Sequence, residues 1–181
     1  MGLFCVYALY YLQFFFFFLR QALAMMIVLL FFVLAAKKEK LLFDGAFGTY
    51  YSLVYDTKEL PERANTEHPD RVIKIHKEYI ESGAQIIRTN TFASNTASLD
   101  ISFKDVLENI RCGYRLAKQA SQGNNVYVAA DIGQIPYEPQ TKCKNISAEY
   151  VEICRTFLEE GADIFVFETF SNLDDIRKAI E

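Results

Sequence analysis

From residue 41 onward, short apolar runs alternate with stretches whose apolar residues recur at helical spacing. The runs are KLLFD, which ends at Asp44, then AQIIRTNTF, NNVYVAADIG and ADIFVFETF. Each is short and rich in Ile, Val, Phe or Ala, as buried strands are. Between them, PDRVIKIHKEYIESG places Val72, Ile75, His76 and Tyr79 on one face, and Gly83 stops the helix. SFKDVLENIRCGYRLAKQA aligns Val106, Ile110 and Tyr114, while SAEYVEICRTFLEEG turns Tyr150, Cys154 and Phe157 inward and stops at Gly161. SNLDDIRKAIE opens a fourth helix, with Ser171 and Asp174 spaced as a capping box.

Strands recur at roughly 40-residue intervals, the rhythm of strand–helix units in a parallel sheet. The unit also repeats locally. GAQIIRTNTF from Gly83 aligns with GADIFVFETF from Gly161, setting Asn90 against Glu168 and Phe92 against Phe170. Two architectures fit, a barrel of equivalent units and an open doubly wound sheet. The repeat, and the lack of a GxGxxG or Walker loop, favour the barrel. Each strand ends on one hydrogen-bonding residue: Asp44, Asn90, Asp131 or Glu168. In parallel β/α folds these ends share the face that carries the site. Singly, an Asp or Asn there is most often a turn former or a helix cap. Four together suit a small cation such as an α-ammonium, or a hard metal. Gly45 and Gly48 in DGAFGT are expected to permit positive φ and close approach of the backbone to a ligand carboxylate. DIGQIP is a second tight loop or a plain turn. His76 is expected in the core, and His68 in a loop or helix start before Pro69.

The first 36 residues break this pattern. They are almost wholly apolar and carry one charge, Arg20. As one helix they would extend about 54 Å, against a hydrocarbon core of about 30 Å. A tilted membrane span followed by KKEK on the cytoplasmic side is one reading. A segment foreign to the domain, with Met25 or Met26 as internal starts, is the other. The 181 residues suffice for one ordinary domain. All 23 acids and all but one of the 19 Lys and Arg lie beyond the leader, so that part is acidic and argues against nucleic acid as a partner. Cys5, Cys112, Cys143 and Cys154 show no C-x-x-C spacing, which predicts reduced thiols in a cytoplasmic domain.

LLFDGAFGT, HKEYIESGAQIIRTNTFASN, VAADIGQIPY and GADIFVFETF, in this order, resemble the homocysteine S-methyltransferase domain. That domain begins cobalamin-dependent methionine synthase, is found fused to a methylenetetrahydrofolate reductase, and occurs in betaine– and S-methylmethionine–homocysteine methyltransferases. The resemblance covers about residues 41–181. It implies a TIM-type (β/α)8 barrel of which this chain holds the first four units, truncated, behind an N-terminal hydrophobic helix. It also implies that homocysteine is bound through its amino-acid end by Asp44, Gly45 and Glu168, with Asn90 at the same mouth. Family members hold zinc on three cysteine thiolates, which keeps the homocysteine sulfur ionised although a free thiol has a pKa of about 8.5. Those ligands belong to the second half of the barrel, and none of the four cysteines here replaces them. This chain is therefore expected to bind no zinc and to supply no catalytic residue of its own. The methyl donor, whether methyltetrahydrofolate with cobalamin or another, is left open.

The resulting expectation is a partial methyltransferase domain, inactive alone, whose partners are homocysteine and a C-terminal half-barrel or downstream domains. The alternative is a membrane-anchored or amino-acid-binding remnant without catalysis. Departures from the family pattern are Phe47 in place of Met, Gln134 in place of Pro, and Arg88 where an acid or Gln is common. Arg88 either alters the charge of the mouth or points outward.

Overall fold

The computed structural model describes residues 40–136, 146–171 and 177. The leader 1–36, Cys143 and the Asp174 half of the capping box lie outside the described residues. Residues from Leu41 form one compact unit. In chain order its elements are α1 (Phe47–Tyr55), a 3-10 turn (Pro61–Arg63), α2 (Ala64–Glu67), α3 (Pro69–Glu81), β1 (Ile86–Arg88), α4 (Thr96–Leu99), α5 (Phe103–Ser121), β2 (Tyr127–Gly133), α6 (Ile146–Glu159) and β3 (Phe165–Glu168).

The strands form a parallel sheet in the order β1-β2-β3. The expected first strand, KLLFD, is reduced to a single parallel bridge between Phe43 and Ile86. Its ladder stops for a visible reason. The Arg88 amide, next in line for a backbone acceptor, donates instead to Asp44 Oδ2 at 2.9 Å. The strand-like segments therefore follow one another across the sheet in sequence order. A doubly wound sheet would reverse direction at its switch point, and no reversal occurs among the described strands.

Side chains alternate across the two faces. Ile87, Val128, Ala130 and Ile132 belong to a core with Val106, Ile110, Tyr114 and Ala117 of α5 and Tyr150, Ile153 and Phe157 of α6. The predicted stripes of α5 and α6 thus face the sheet as expected, with Cys154 packed at the edge of that core. Each large side chain in it contributes about 1.5–3 kcal/mol by leaving water. Ser102 caps α5, accepting from the Asp105 amide and donating to its carboxylate at 2.6 Å. Gly83 and Gly161 end their helices with φ of 100° and 87°, as predicted. The opposite face of the sheet carries Arg88 beside Ala129, Asp131 beside Val166, and Gly133 beside Glu168.

A second apolar cluster, with Tyr51 of α1 and Val72 and Ile75 of α3, packs beside Leu116 of α5. His76 is fully buried and its ring lies 4.9 Å from that of Phe47. The core position expected of it is correct. His68 precedes Pro69 at the start of α3, also as expected.

Candidate functional site

The inner face of the sheet, the segment after Phe43 and the 3-10 turn enclose a cleft of about 580 Å³. Asp44, Arg88, Asn90, Asp131 and Glu168 all line it. Arg88 lies at its centre. Its Nε donates to Asp44 Oδ1 at 2.9 Å, its Nη2 to the Gly45 carbonyl at 2.9 Å, and its Nη1 pairs with Glu168. The arginine therefore points into the mouth and joins the two acids expected to bind substrate. The Asp44 side chain is nearly inaccessible, at 1% exposure, whereas that of Glu168 is 31% exposed.

The electrostatics follow from burial. Desolvation raises the Asp44 carboxyl, and the Arg88 hydrogen bonds oppose it. A 2.9 Å bond from the guanidinium Nε and another from the Arg88 backbone amide make Asp44 the anionic partner all the same. Burial works against the Arg88 charge, but the Asp44 bond and the charges of Asp44, Glu168 and Asp131 together outweigh it and the net shift is upward. Asp131 is pushed up to about 8, first by burial and then by the charge of Glu168, to which it is hydrogen-bonded. Burial thus favours its neutral form, and its buried Oδ1 has no hydrogen-bond partner.

Three expectations need correction. Asp131 does not end its strand. It lies within β2, which runs on to Gly133, because the pairing with β3 extends that far. Asn90 borders the cleft as expected, with its Nδ2 committed to structure. Its Nδ2 donates to the Pro61 carbonyl at 2.7 Å and to Asn65 Oδ1 at 2.9 Å. Gly45 and Gly48 do not adopt positive φ, which falls on Gly83, Gly123 and Gly161. What Gly45 permits is contact with Tyr79, whose Cε1 and hydroxyl oxygen lie 3.0 Å from the position a Cβ would take. Gly48 is not a turn residue, since it sits in the first turn of α1.

Sequence reading missed the framework under the mouth. Asn65, Asn90 and Asn109 form a buried amide network in which Asn65 donates to the Asn90 carbonyl at 2.8 Å and Asn109 to that of Glu62 at 2.8 Å. Thr89 and Thr91 clamp β1 to β2. The Asp131 amide donates to Thr89 Oγ1, and Thr91 Oγ1 donates to the Asp131 carbonyl. Buried Glu62 accepts from the Ala93 amide. Its placement after Pro61 was the available signal, because Pro at the first position of a helical turn marks where the chain bends.

The described residues do not fit a zinc site. Among them no group of three or more His, Cys, Asp or Glu is placed to hold a metal ion. Cys112 and Cys154 lie on different helices, and burial raises both thiols, Cys154 to about 11. Thiolate ligation needs the opposite shift.

Comparison with known proteins agrees with this architecture. A family model for homocysteine S-methyltransferase matches residues 41–181. Betaine–homocysteine S-methyltransferase 1 of Pongo abelii is 25% identical over 131 residues, covering 67% of this chain and 31% of that protein. Methionine synthase of Mycobacterium tuberculosis is 28% identical over 154 residues, covering 76% of this chain and 13% of that protein. The apo crystal structure of the homocysteine methyltransferase MmuM from Escherichia coli superposes with a TM-score of 0.61 at 24% identity. That superposition covers 80% of this chain and 55% of MmuM, and at such identity it speaks for the fold. The chain thus spans less than two thirds of each of these relatives. With the family match running from the strand before Asp44 to residue 181, the chain belongs to the homocysteine S-methyltransferase family.

Proposed function

We propose that residues 41–181 form the first four units of a TIM-type barrel and hold the amino-acid end of homocysteine. The complete domain would transfer a methyl group to the homocysteine thiol to make methionine. One observation carries the reading. Asp44 and Glu168, far apart in sequence, are drawn to a single cation in one cleft. A substrate ammonium would enter the same cleft and take Glu168, with Asp44 and Gly45 lining the amino-acid end beside it. Zinc in the complete domain would supply thiolate activation, but no described residue here suits it. These residues bind and orient, and the part is inactive alone. The acidic balance and reduced thiols fit a cytoplasmic location for residues 41–181. The membrane-anchored alternative draws no support from the described residues, among which no helix is long and apolar enough to cross a membrane.

Calorimetry with L-homocysteine and its amine-free analogue 4-mercaptobutyrate tests the reading. Homocysteine should bind, the analogue should bind at least about tenfold more weakly, and Glu168→Gln should erase the difference, since a charged hydrogen bond contributes about 1.5–3 kcal/mol. Added zinc should change neither affinity. Equal affinity for the two ligands would sink the assignment.

A further inference from the structure

The cation that joins Asp44 to Glu168 is part of the protein. Any amine that uses both acids must therefore contend with Arg88, and the geometry shows which contact can yield. The Asp44 side of the guanidinium is held by a 2.9 Å bond from Nε and another from the Arg88 backbone amide, against a carboxylate that is almost inaccessible. The Gly45 carbonyl anchors Nη2 as well. The Glu168 side consists of one contact from Nη1, made to a carboxylate about a third exposed. A buried, multiply bonded pair costs far more to break than a single half-exposed one. Behind Glu168 stands the Asp131 carboxyl, 4% exposed, with Oδ1 unpartnered. An amine arriving at Glu168 would find there the acceptor that the guanidinium leaves unused.

We propose that Arg88 is an internal ammonium surrogate that gates this pocket and sets its selectivity for amines. In the resting chain it occupies Glu168. A primary amine enters by displacing Nη1 from Glu168, while the Arg88–Asp44 pair stays intact. The amine then takes the Glu168 Oε2 that Nη1 vacates, with Asp131 Oδ1 as its second acceptor. The proposal rests on the amino-acid reading of the pocket and adds to it that every amine binds against a competitor tethered in place, at high effective concentration. Affinity in the wild-type chain is correspondingly reduced. Arg88 is a selectivity residue here, since it weakens all amines and leaves amine-free ligands unaffected.

The test is calorimetry on the full chain with L-homocysteine, L-methionine, methylamine and 4-mercaptobutyrate, comparing wild type with Arg88→Gln and Arg88→Lys. Arg88→Gln should bind the three amines about tenfold or more tightly and leave 4-mercaptobutyrate unchanged. Arg88→Lys, which keeps the charge but loses the fork, should fall between. Unchanged or weaker amine binding by Arg88→Gln overturns the proposal. The substrate assignment stands or falls separately. A gain for methionine and methylamine with no preference for homocysteine supports the gate and removes homocysteine. Homocysteine binding by wild type with no gain in Arg88→Gln does the reverse. If Arg88→Gln fails to fold, nitrogen NMR of the arginine side chains in the wild type decides. Saturating methionine should speed rotation of the Arg88 Nη groups while the Nε–H signal stays hydrogen-bonded, and an unchanged Nη signal overturns the gate.

Discussion

Replacing Asn90 with alanine separates a binding residue from a structural one. In the structure the Asn90 amide supplies hydrogens to two acceptors, the Pro61 carbonyl at 2.7 Å and Asn65 Oδ1 at 2.9 Å. Asn90 and Asn65 are 3% and 2% exposed, so water does not easily replace the lost donor. Leaving a buried acceptor without a partner costs about 1–3 kcal/mol. The Pro61 carbonyl lies in a partly buried contact and belongs at the low end of that range. The expected loss for Asn90→Ala is therefore about 2–4 kcal/mol, a large share of the roughly 5–15 kcal/mol typical of a domain. Urea unfolding followed by far-UV circular dichroism would register it as a midpoint lower by about 1–2 M, with the slope unchanged. Asn90→Asp should cost more, because it sets an acceptor against two acceptors. Homocysteine affinity per folded molecule should stay within about twofold, since a truncation that spares the ligand contacts has little binding energy to remove. A variant within about 0.5 kcal/mol of wild-type stability that bound homocysteine tenfold more weakly would refute this account and restore Asn90 as a ligand.

Gly113→Ala on α5 should destabilise by about 1–3 kcal/mol although alanine is the better helix former. The new methyl would stand 2.7 Å from Thr91 Cγ2 and 2.8 Å from Asn65 Nδ2, and a neutral or stabilising result in the same urea assay would show that the network can yield. His76 is held neutral by burial, with its pKa lowered to about 3 from 6.5. The unfolded chain then binds the proton more readily, so the stability contributed by neutral His76 is present above pH 6.5 and lost as pH falls through 6.5 towards 3. Stability of His76→Phe should decline less than that of the wild type over this window, and parallel pH profiles would contradict the assignment.

The outer half of each strand–helix unit was legible because one stripe decides it. Val106, Ile110 and Tyr114 lie on one face by spacing alone, and burial against β1 and β2 is the only place for such a face. The helix-ending roles of Gly83 and Gly161 were legible for a similarly local reason, a backbone sign that glycine adopts freely. The mouth was harder. Asp44 and Glu168 stand out as acids closing apolar runs, and they do converge. Their convergence on Arg88 depends on which face of a three-residue strand the arginine takes, and hence on register. The position of Asn90 at the mouth was legible, while the partners of its Nδ2, Pro61 and Asn65, come from a segment with no periodicity to betray its course. Asp131 misled because strand length depends on the neighbour's length, and β3 carries the pairing on to Gly133.

The contact between Arg88 and Glu168 also bears on assembly. It joins residues 80 positions apart, whereas α3 and α5 pack within the same half of the unit. A chain gains such a distant contact only after the intervening loop entropy has been surrendered. The pocket is therefore expected to close late and to open early. Its half-exposed outer pair places the binding cleft at the low-stability end of the molecule, while the helix-covered face of the sheet holds the remainder in register.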